Sequence, residues 1–258
     1  MKKSLTIWKK ELRGEFYTWK SMLWLVIASL TFSLTSYLLL TNKELSLLDQ
    51  TELMWLLSKV IVGIAFLVTA LDAASIITTE FDKDTAENLF LSPISLADLM
   101  IGKFLAVLTL WAAIFLVAIP YIIVASAGSG LTLAFMGHVA LLGTLGVSAF
   151  TVLIFALSLL FRTGKNTITT SLIALLALGI PATFASTLKN DPVSQLLAHV
   201  NPMDAIFSSL DNVLVDYHTS VLQNWQYIVA VVGFLAVSLV FLYVSTRIFA
   251  KQGIVKND

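Results

Sequence analysis

The hydrophobic and polar positions divide the chain into six long apolar segments separated by shorter polar ones. The apolar segments are residues 21–42, 53–79, 101–124, 132–161, 167–188 and 225–246. Each is long enough to cross the roughly 30 Å hydrocarbon layer of a bilayer as an α-helix. The pattern predicts an all-α integral membrane protein with six transmembrane helices, forming a single transmembrane domain over residues 1–258.

The composition agrees with a chain that lies mostly in a lipid bilayer. Its 258 residues are 58% hydrophobic and 12% charged, whereas average soluble domains are about 25% charged. The formal net charge of zero offers no electrostatic footprint for nucleic acid, so we expect no nucleic-acid partner. Cysteine is absent, which excludes disulfides and cysteine-based metal sites. We expect no catalytic, cofactor or metal site in this chain.

The basic residues orient the spans. Six spans place both termini on one side of the membrane. Assigning that side as cytoplasmic leaves only Lys43, Lys59 and Lys189 of the 16 basic residues outside. Because cytoplasmic segments carry the excess of lysine and arginine, we expect a multi-pass protein of the cell membrane with both termini in the cytoplasm.

Residues 1–20 mix basic and apolar positions ahead of the first span. The apolar positions Leu5, Trp8, Leu12, Phe16 and Trp19 recur at helical spacing. This pattern is typical of an amphipathic helix that lies in the membrane interface. The alternative is a plain positive flank that orients the first span, and the two interpretations are compatible.

A strongly charged stretch separates the second and third spans. Its charged residues are Glu80, Asp82, Lys83, Asp84, Glu87, Asp98 and Lys103. Two helix starts are predicted inside it. Asp84 or Thr85 caps a short helix with Glu87 at capping-box spacing, and Ser95 with Asp98 caps a second helix that enters the third span.

The short helix carries Leu89 and Phe90 and ends before Pro93, because a residue that precedes proline avoids helical angles. A short amphipathic helix fixed between two spans suits docking onto a soluble partner. The alternative interpretation is an ordinary solvated loop.

The second span carries two charged residues, Lys59 and Asp72. Lys59 lies near the outer end, where its ammonium group reaches outward to water. Asp72 lies about 10 Å from the inner end, and an acidic residue inside a span is a functional candidate. The alternative is a structural role, in which Asp72 reaches water or hydrogen-bonds a neighbouring helix.

Residues 189–224 form the longest segment between spans. Asn201, Pro202 and Asp204 give a strong helix-start signal. One apolar stripe follows, made of Met203, Ile206, Phe207, Leu210 and Leu214. The segment is too short to cross the bilayer, so we expect external interfacial or re-entrant helices.

The charged stretch resembles the loop between the second and third spans of ABC-2-type transporter permeases. The family's typical residues are matched here by Glu80, Thr85, Glu87, Leu89, Pro93, Gly102 and Lys103. Asp84 replaces the glycine that usually precedes the threonine, which affects the local turn. Lys10 to Arg13 is similar to the opening of the same family.

This resemblance implies a permease subunit of an ABC-type exporter, with residues 78–100 as a cytoplasmic coupling loop. Its ATPase-contacting residues would be Glu80, Asp84, Thr85, Glu87, Leu89, Phe90 and Pro93. The implied partners are two copies of an ABC ATP-binding subunit, a second permease copy in a homodimer or related heterodimer, and the lipid bilayer. The chain has no P-loop motif, so ATP and Mg²⁺ would belong to the ATPase subunit.

Two other functional classes fit the same sequence. In the first class, the chain is a force-transmitting ABC membrane subunit that acts on an external partner without transporting cargo. In the second class, it is a membrane scaffold without an ATPase. Co-purification of an ATPase subunit with the chain separates the scaffold from the permease.

Overall fold

A computed structural model describes residues 2–16, 19–41, 49–82, 95–188, 201–215 and 224–252. Over these ranges the regular structure is helical. The helices are α1 (Lys2–Phe16), α2 (Trp19–Thr41), α3 (Gln50–Asp82), α4 (Leu96–Ala125), α5 (Thr132–Phe161), α6 (Gly164–Leu188), α7 (Pro202–Leu214) and α8 (Trp225–Gln252).

Six of these helices, α2 to α6 and α8, are long and apolar enough to cross a membrane. They are the first to sixth spans in chain order, so the predicted all-α fold with six candidate spans is confirmed. The fourth span has the predicted bounds, whereas α3 continues past the predicted residue 79 to Asp82. The third span begins at Leu96, directly after the predicted cap Ser95 and ahead of the apolar run that starts at residue 101. We refer to the end of the bundle that contains Glu80, Asp98 and Lys103 as the charged end.

The helix starts predicted at Ser95 and Asn201 are both confirmed. The Ser95 hydroxyl accepts a hydrogen bond of 3.1 Å from the Asp98 backbone N–H at the start of the third span. The Asn201 side-chain oxygen accepts one of 3.0 Å from the Met203 N–H at the start of α7. Each cap satisfies a backbone donor that has no partner within its own helix.

The second and fourth spans form the centre of the bundle, and the first and sixth are the most exposed. The rings of Phe66 and Phe150 join the central pair, with their centroids 5.5 Å apart. The exposed residues of the outer spans are large and apolar, such as Leu30 and Val240. Such surfaces suit contact with lipid or with another membrane helix.

Two glycines of the fourth span let neighbouring helices approach closely. A Cβ atom at Gly143 would lie 2.6 Å from Cζ2 of Trp111 on the third span. A Cβ atom at Gly146 would lie 2.6 Å from Cδ1 of Ile206 on α7. The Trp111 indole N–H donates to the Thr144 hydroxyl at 2.9 Å, which fixes the ring over Gly143.

Helix α7 packs into the half of the bundle opposite to the charged end. Its predicted apolar stripe is buried throughout. The Asn201 side-chain N–H donates to the Leu178 carbonyl of the fifth span at 2.7 Å, and the Trp55 indole N–H donates to the Phe207 carbonyl at 3.1 Å. The Lys59 ammonium lies 3.4 Å from the centroid of the Trp55 ring, a cation–π contact.

Parts of two predicted segments lie outside the described residues. These are residues 189–200 and 216–223 of the external segment and residues 1, 17 and 18 of the N-terminal one. The external, re-entrant placement of α7 and the interfacial placement of α1 stay predictions.

The glycine contacts generate a stability prediction. We expect Gly143→Ala to lower the thermal unfolding midpoint in detergent, because overpacking of a tight contact costs about 1–3 kcal/mol. Gly137→Ala on the same helix is the matched control, since nothing lies within 4 Å of its Cβ position. Alanine is the better helix former, so this control keeps or raises the midpoint. Equal midpoints for the two variants would contradict the close packing of Trp111.

Candidate functional site

Of the coupling residues and the intramembrane polar candidate predicted from the sequence, the structure describes two, Glu80 and Asp72. The other predicted coupling residues, Asp84, Thr85, Glu87, Leu89, Phe90 and Pro93, lie in residues 83–94, outside the described residues. The short helix predicted there also stays a prediction. The structure does describe both flanks of this segment, namely the end of the second span and the start of the third.

Lys103 is the centre of the charged end. It lies two turns into the third span and is only 1% exposed. Its ammonium nitrogen lies 2.9 Å from Glu80 Oε1 on the second span and 3.3 Å from Glu11 Oε1 on α1. It also donates a hydrogen bond of 2.6 Å to the Ile76 carbonyl. Among the described residues, both ion pairs meet at this one lysine.

The chemistry of an ammonium group explains this arrangement. Lysine has three donors and no acceptor, and Glu80, Glu11 and the Ile76 carbonyl supply three acceptors. A buried charge without such partners is strongly unfavourable. Removing one member of a buried ion pair costs about 3–5 kcal/mol, because an uncompensated charge remains. Lys103 therefore holds the second span, the third span and α1 together.

Gly102 allows α1 to approach the third span. A Cβ atom at Gly102 would lie 2.7 Å from Ile7 Cβ and 2.9 Å from the Ser4 carbonyl oxygen. Any larger residue would displace α1 from the helix that carries Lys103. The glycine and the lysine that follows it therefore serve one contact, the first by closeness and the second by charge.

A polar network extends this contact to the first turn of the third span. The Ser4 hydroxyl donates to Asp98 Oδ1 at 2.7 Å, and the Ser95 hydroxyl donates to Asp98 Oδ2 at 2.7 Å. The Trp8 indole N–H donates to the Thr109 hydroxyl at 3.0 Å. The helix start that follows residues 83–94 is thus fastened to α1 as well as capped by Ser95.

The packed face of α1 differs from the stripe read in the sequence. Ser4, Ile7, Trp8 and Glu11 face the third span, whereas Leu5 is 43% exposed. Sequence reasoning missed Ser4 and Glu11 as contacts. Ser4, Ile7, Trp8 and Glu11 are spaced at i, i+3, i+4 and i+7, which places them on one helix face. A search for apolar positions does not find this face, because two of its four residues are polar.

Aromatic contacts join the charged end to the sixth span. The rings of Phe81 and Phe249 are 5.7 Å apart. The guanidinium of Arg162 lies 4.8 Å from the centroid of the Phe249 ring. Arg162 ends the fourth span with a left-handed φ of 56°. The end of the second span is therefore also in contact with the sixth span at Phe249, and Phe249 in turn contacts the turn after the fourth span.

On the second span, Asp72 lies one helical turn before Ile76. It is 4% exposed, in the buried interior of the second span, about 15 Å along the axis from the end of that helix. No group of three His, Cys, Asp or Glu side chains suited to a metal ion occurs in the part of the chain that the structure describes.

Comparison with known proteins identifies the family of the chain. No curated protein matches the chain. A family model described as ABC-2 family transporter protein matches residues 5–254. That range contains Glu11, Glu80 and Lys103, both flanks of the 83–94 segment and all six candidate spans. The chain therefore belongs to the ABC-2 family of transporter proteins, as a membrane subunit of the permease type.

Proposed function

We propose that the chain is the permease subunit of an ABC-type exporter, in which a separate ATPase subunit hydrolyses ATP and this chain moves substrate across or out of the membrane. The observation that carries the proposal is the buried Lys103, which ties together the two spans that flank residues 83–94. Family membership supports a permease role.

The mechanism begins at the coupling loop, residues 78–100. Closure of the ATPase dimer would push on the short helix that the sequence predicts around Glu87, Leu89 and Phe90. Since Glu80 and Lys103 fasten the two flanks to each other, the push reaches the second and third spans together rather than bending the loop alone. The two spans then tilt as a pair and open a path at the interface between permease copies.

The partners follow from the same scheme. We propose two ATPase subunits on the cytoplasmic side, which hold ATP and Mg²⁺, and a second permease copy in the membrane. The positive-inside rule supports a cytoplasmic position for the charged end and for both termini. The exposed apolar faces of the first and sixth spans offer surfaces for the second copy and for lipid.

We expect the double variant Glu87→Ala with Phe90→Ala to bind the ATPase subunit at least about tenfold more weakly, because aromatic anchors at interfaces contribute about 2 kcal/mol or more. If the double variant still binds the ATPase subunit, we expect ATP hydrolysis to continue without transport. The measurement is recovery of the complex and transport-linked hydrolysis at equal permease amounts.

The matched control is Lys165→Ala, since Lys165 is exposed in the first turn of α6. This variant should leave ATPase binding and transport-linked hydrolysis unchanged. Equal binding and coupling in wild type and in the double variant would remove the docking role.

Purified chain without the ATPase subunit should show no ATP hydrolysis. Turnover by the chain alone would contradict the assignment of ATP hydrolysis to a separate subunit.

Asp72 generates a separate prediction, in which its role is structural. Its buried position favours a role in packing the interior of the second span. We expect Asp72→Asn to keep transport within about twofold and to change stability by about 1 kcal/mol, the usual size for one buried polar interaction. Transport at several pH values and the unfolding midpoint are the measurements. A changed pH profile with normal assembly would instead assign Asp72 to the transport path or to proton handling.

A further inference from the structure

We propose that the N-terminal helix α1 is part of the force-transmitting unit, and that Glu11 and Lys103 are the positioning residues that fix α1 on the third span. In this arrangement α1, the end of the second span and the start of the third span move as one body. The inference rests on the proposed function, since it names a further moving part of the same coupling site.

The first support is the length of the contact. Along α1 it runs from Ser4 to Glu11, about 10 Å, and along the third span from Asp98 to Thr109, about 16 Å. A hydrogen bond or an ion pair occurs at each end, and the Ile7–Gly102 approach lies between them. A contact fixed at several points over this length resists both sliding and hinging.

The second support is the closeness of the backbone contact. A Cβ atom at Gly102 would overlap Ile7 Cβ and the Ser4 carbonyl oxygen, so α1 lies closer to the third span than any residue but glycine permits. Movement away would separate Ser4 from Asp98 and Glu11 from Lys103. One of the three N–H donors of the buried Lys103 ammonium would then lose its acceptor, which opposes that movement.

The third support is that Lys103 contacts two moving parts at once. Glu11 and Glu80 share the same ammonium group. If α1 stayed behind while the second and third spans tilted, Glu11 would leave Lys103 while Glu80 remained. A shared cation therefore favours motions in which all three elements keep their relative positions.

A cysteine lock tests this inference in the full complex with the ATPase. The chain contains no cysteine, so Ser4→Cys with Asp98→Cys places the only two thiols at a contact whose side-chain oxygens are 2.7 Å apart. They are joined by oxidation or by a short thiol-specific cross-linker. We expect transport-linked hydrolysis of the locked form to stay within about twofold of the reduced form.

Loss of transport in the locked form, with recovery on reduction, would show that α1 must move relative to the third span, and would overturn the inference. The single variants Ser4→Cys and Asp98→Cys under the same oxidation control for effects of the substitutions alone.

A second measurement tests the positioning role of Glu11 without any ATPase. Hydrogen exchange of the purified chain in a lipid nanodisc should be about tenfold faster at the α1 amides in Glu11→Gln than in wild type, because the ion pair that holds α1 is lost. Lys9→Gln is the matched control, since Lys9 is exposed on α1. Unchanged α1 exchange in Glu11→Gln would overturn the role of Glu11.

The coupling ratio separates positioning from simple stability. In the complex, Glu11→Gln should hydrolyse ATP at close to the wild-type rate but transport less substrate per ATP, with Glu11→Asp recovering part of the ratio. If wild type itself shows no transport-linked hydrolysis, the proposed function fails, while the exchange experiment still decides whether Glu11 fixes α1.

Discussion

A buried ammonium group must find acceptors, and this requirement organises the charged end of the bundle. Lys103 meets it with Glu11, Glu80 and the Ile76 carbonyl, and so fastens three elements that come from distant parts of the chain. Gly102 makes the approach of α1 possible, and Asp98 extends it to the helix start at Ser95. The end of the second span and the start of the third span, which flank residues 83–94, are therefore fixed to each other. In the proposed mechanism, a push on that segment would therefore act on the second and third spans together.

Much of the fold is predictable because the bilayer imposes it. Apolar runs longer than a bilayer requires define the six spans, and the cap residues Ser95 and Asn201 mark where two helices begin. Hydropathy alone underestimates the second and third spans, since their polar ends remain helical beyond the apolar run. The extra turns carry Glu80 and Asp98, whose charges are accommodated by Lys103 and by the Ser4 and Ser95 hydroxyls.

The site is less predictable, because its contacts join residues far apart in the chain. Glu80, Gly102 and Lys103 are visible as members of a motif, but nothing local shows that Glu11 is a second ion-pair partner of Lys103. Ser4 and Glu11 look like ordinary polar positions of an amphipathic helix. The link from Phe81 through Phe249 to Arg162 is hidden for the same reason. Helical periodicity predicts which residues share a face, whereas the partner of that face depends on tertiary packing.

The central claim is that the charge of Lys103 holds these elements together, and unfolding of the purified chain in detergent tests it most directly. Lys103→Met should lower the free energy of unfolding by about 3–5 kcal/mol, because Glu11 and Glu80 then face each other without a cation. The triple variant Glu11→Leu, Glu80→Leu and Lys103→Met should recover most of that loss, since apolar residues of similar volume replace a buried ion network at little cost. A Lys103→Met chain that unfolds within about 1 kcal/mol of wild type, the range of an exposed ion pair, would contradict the account.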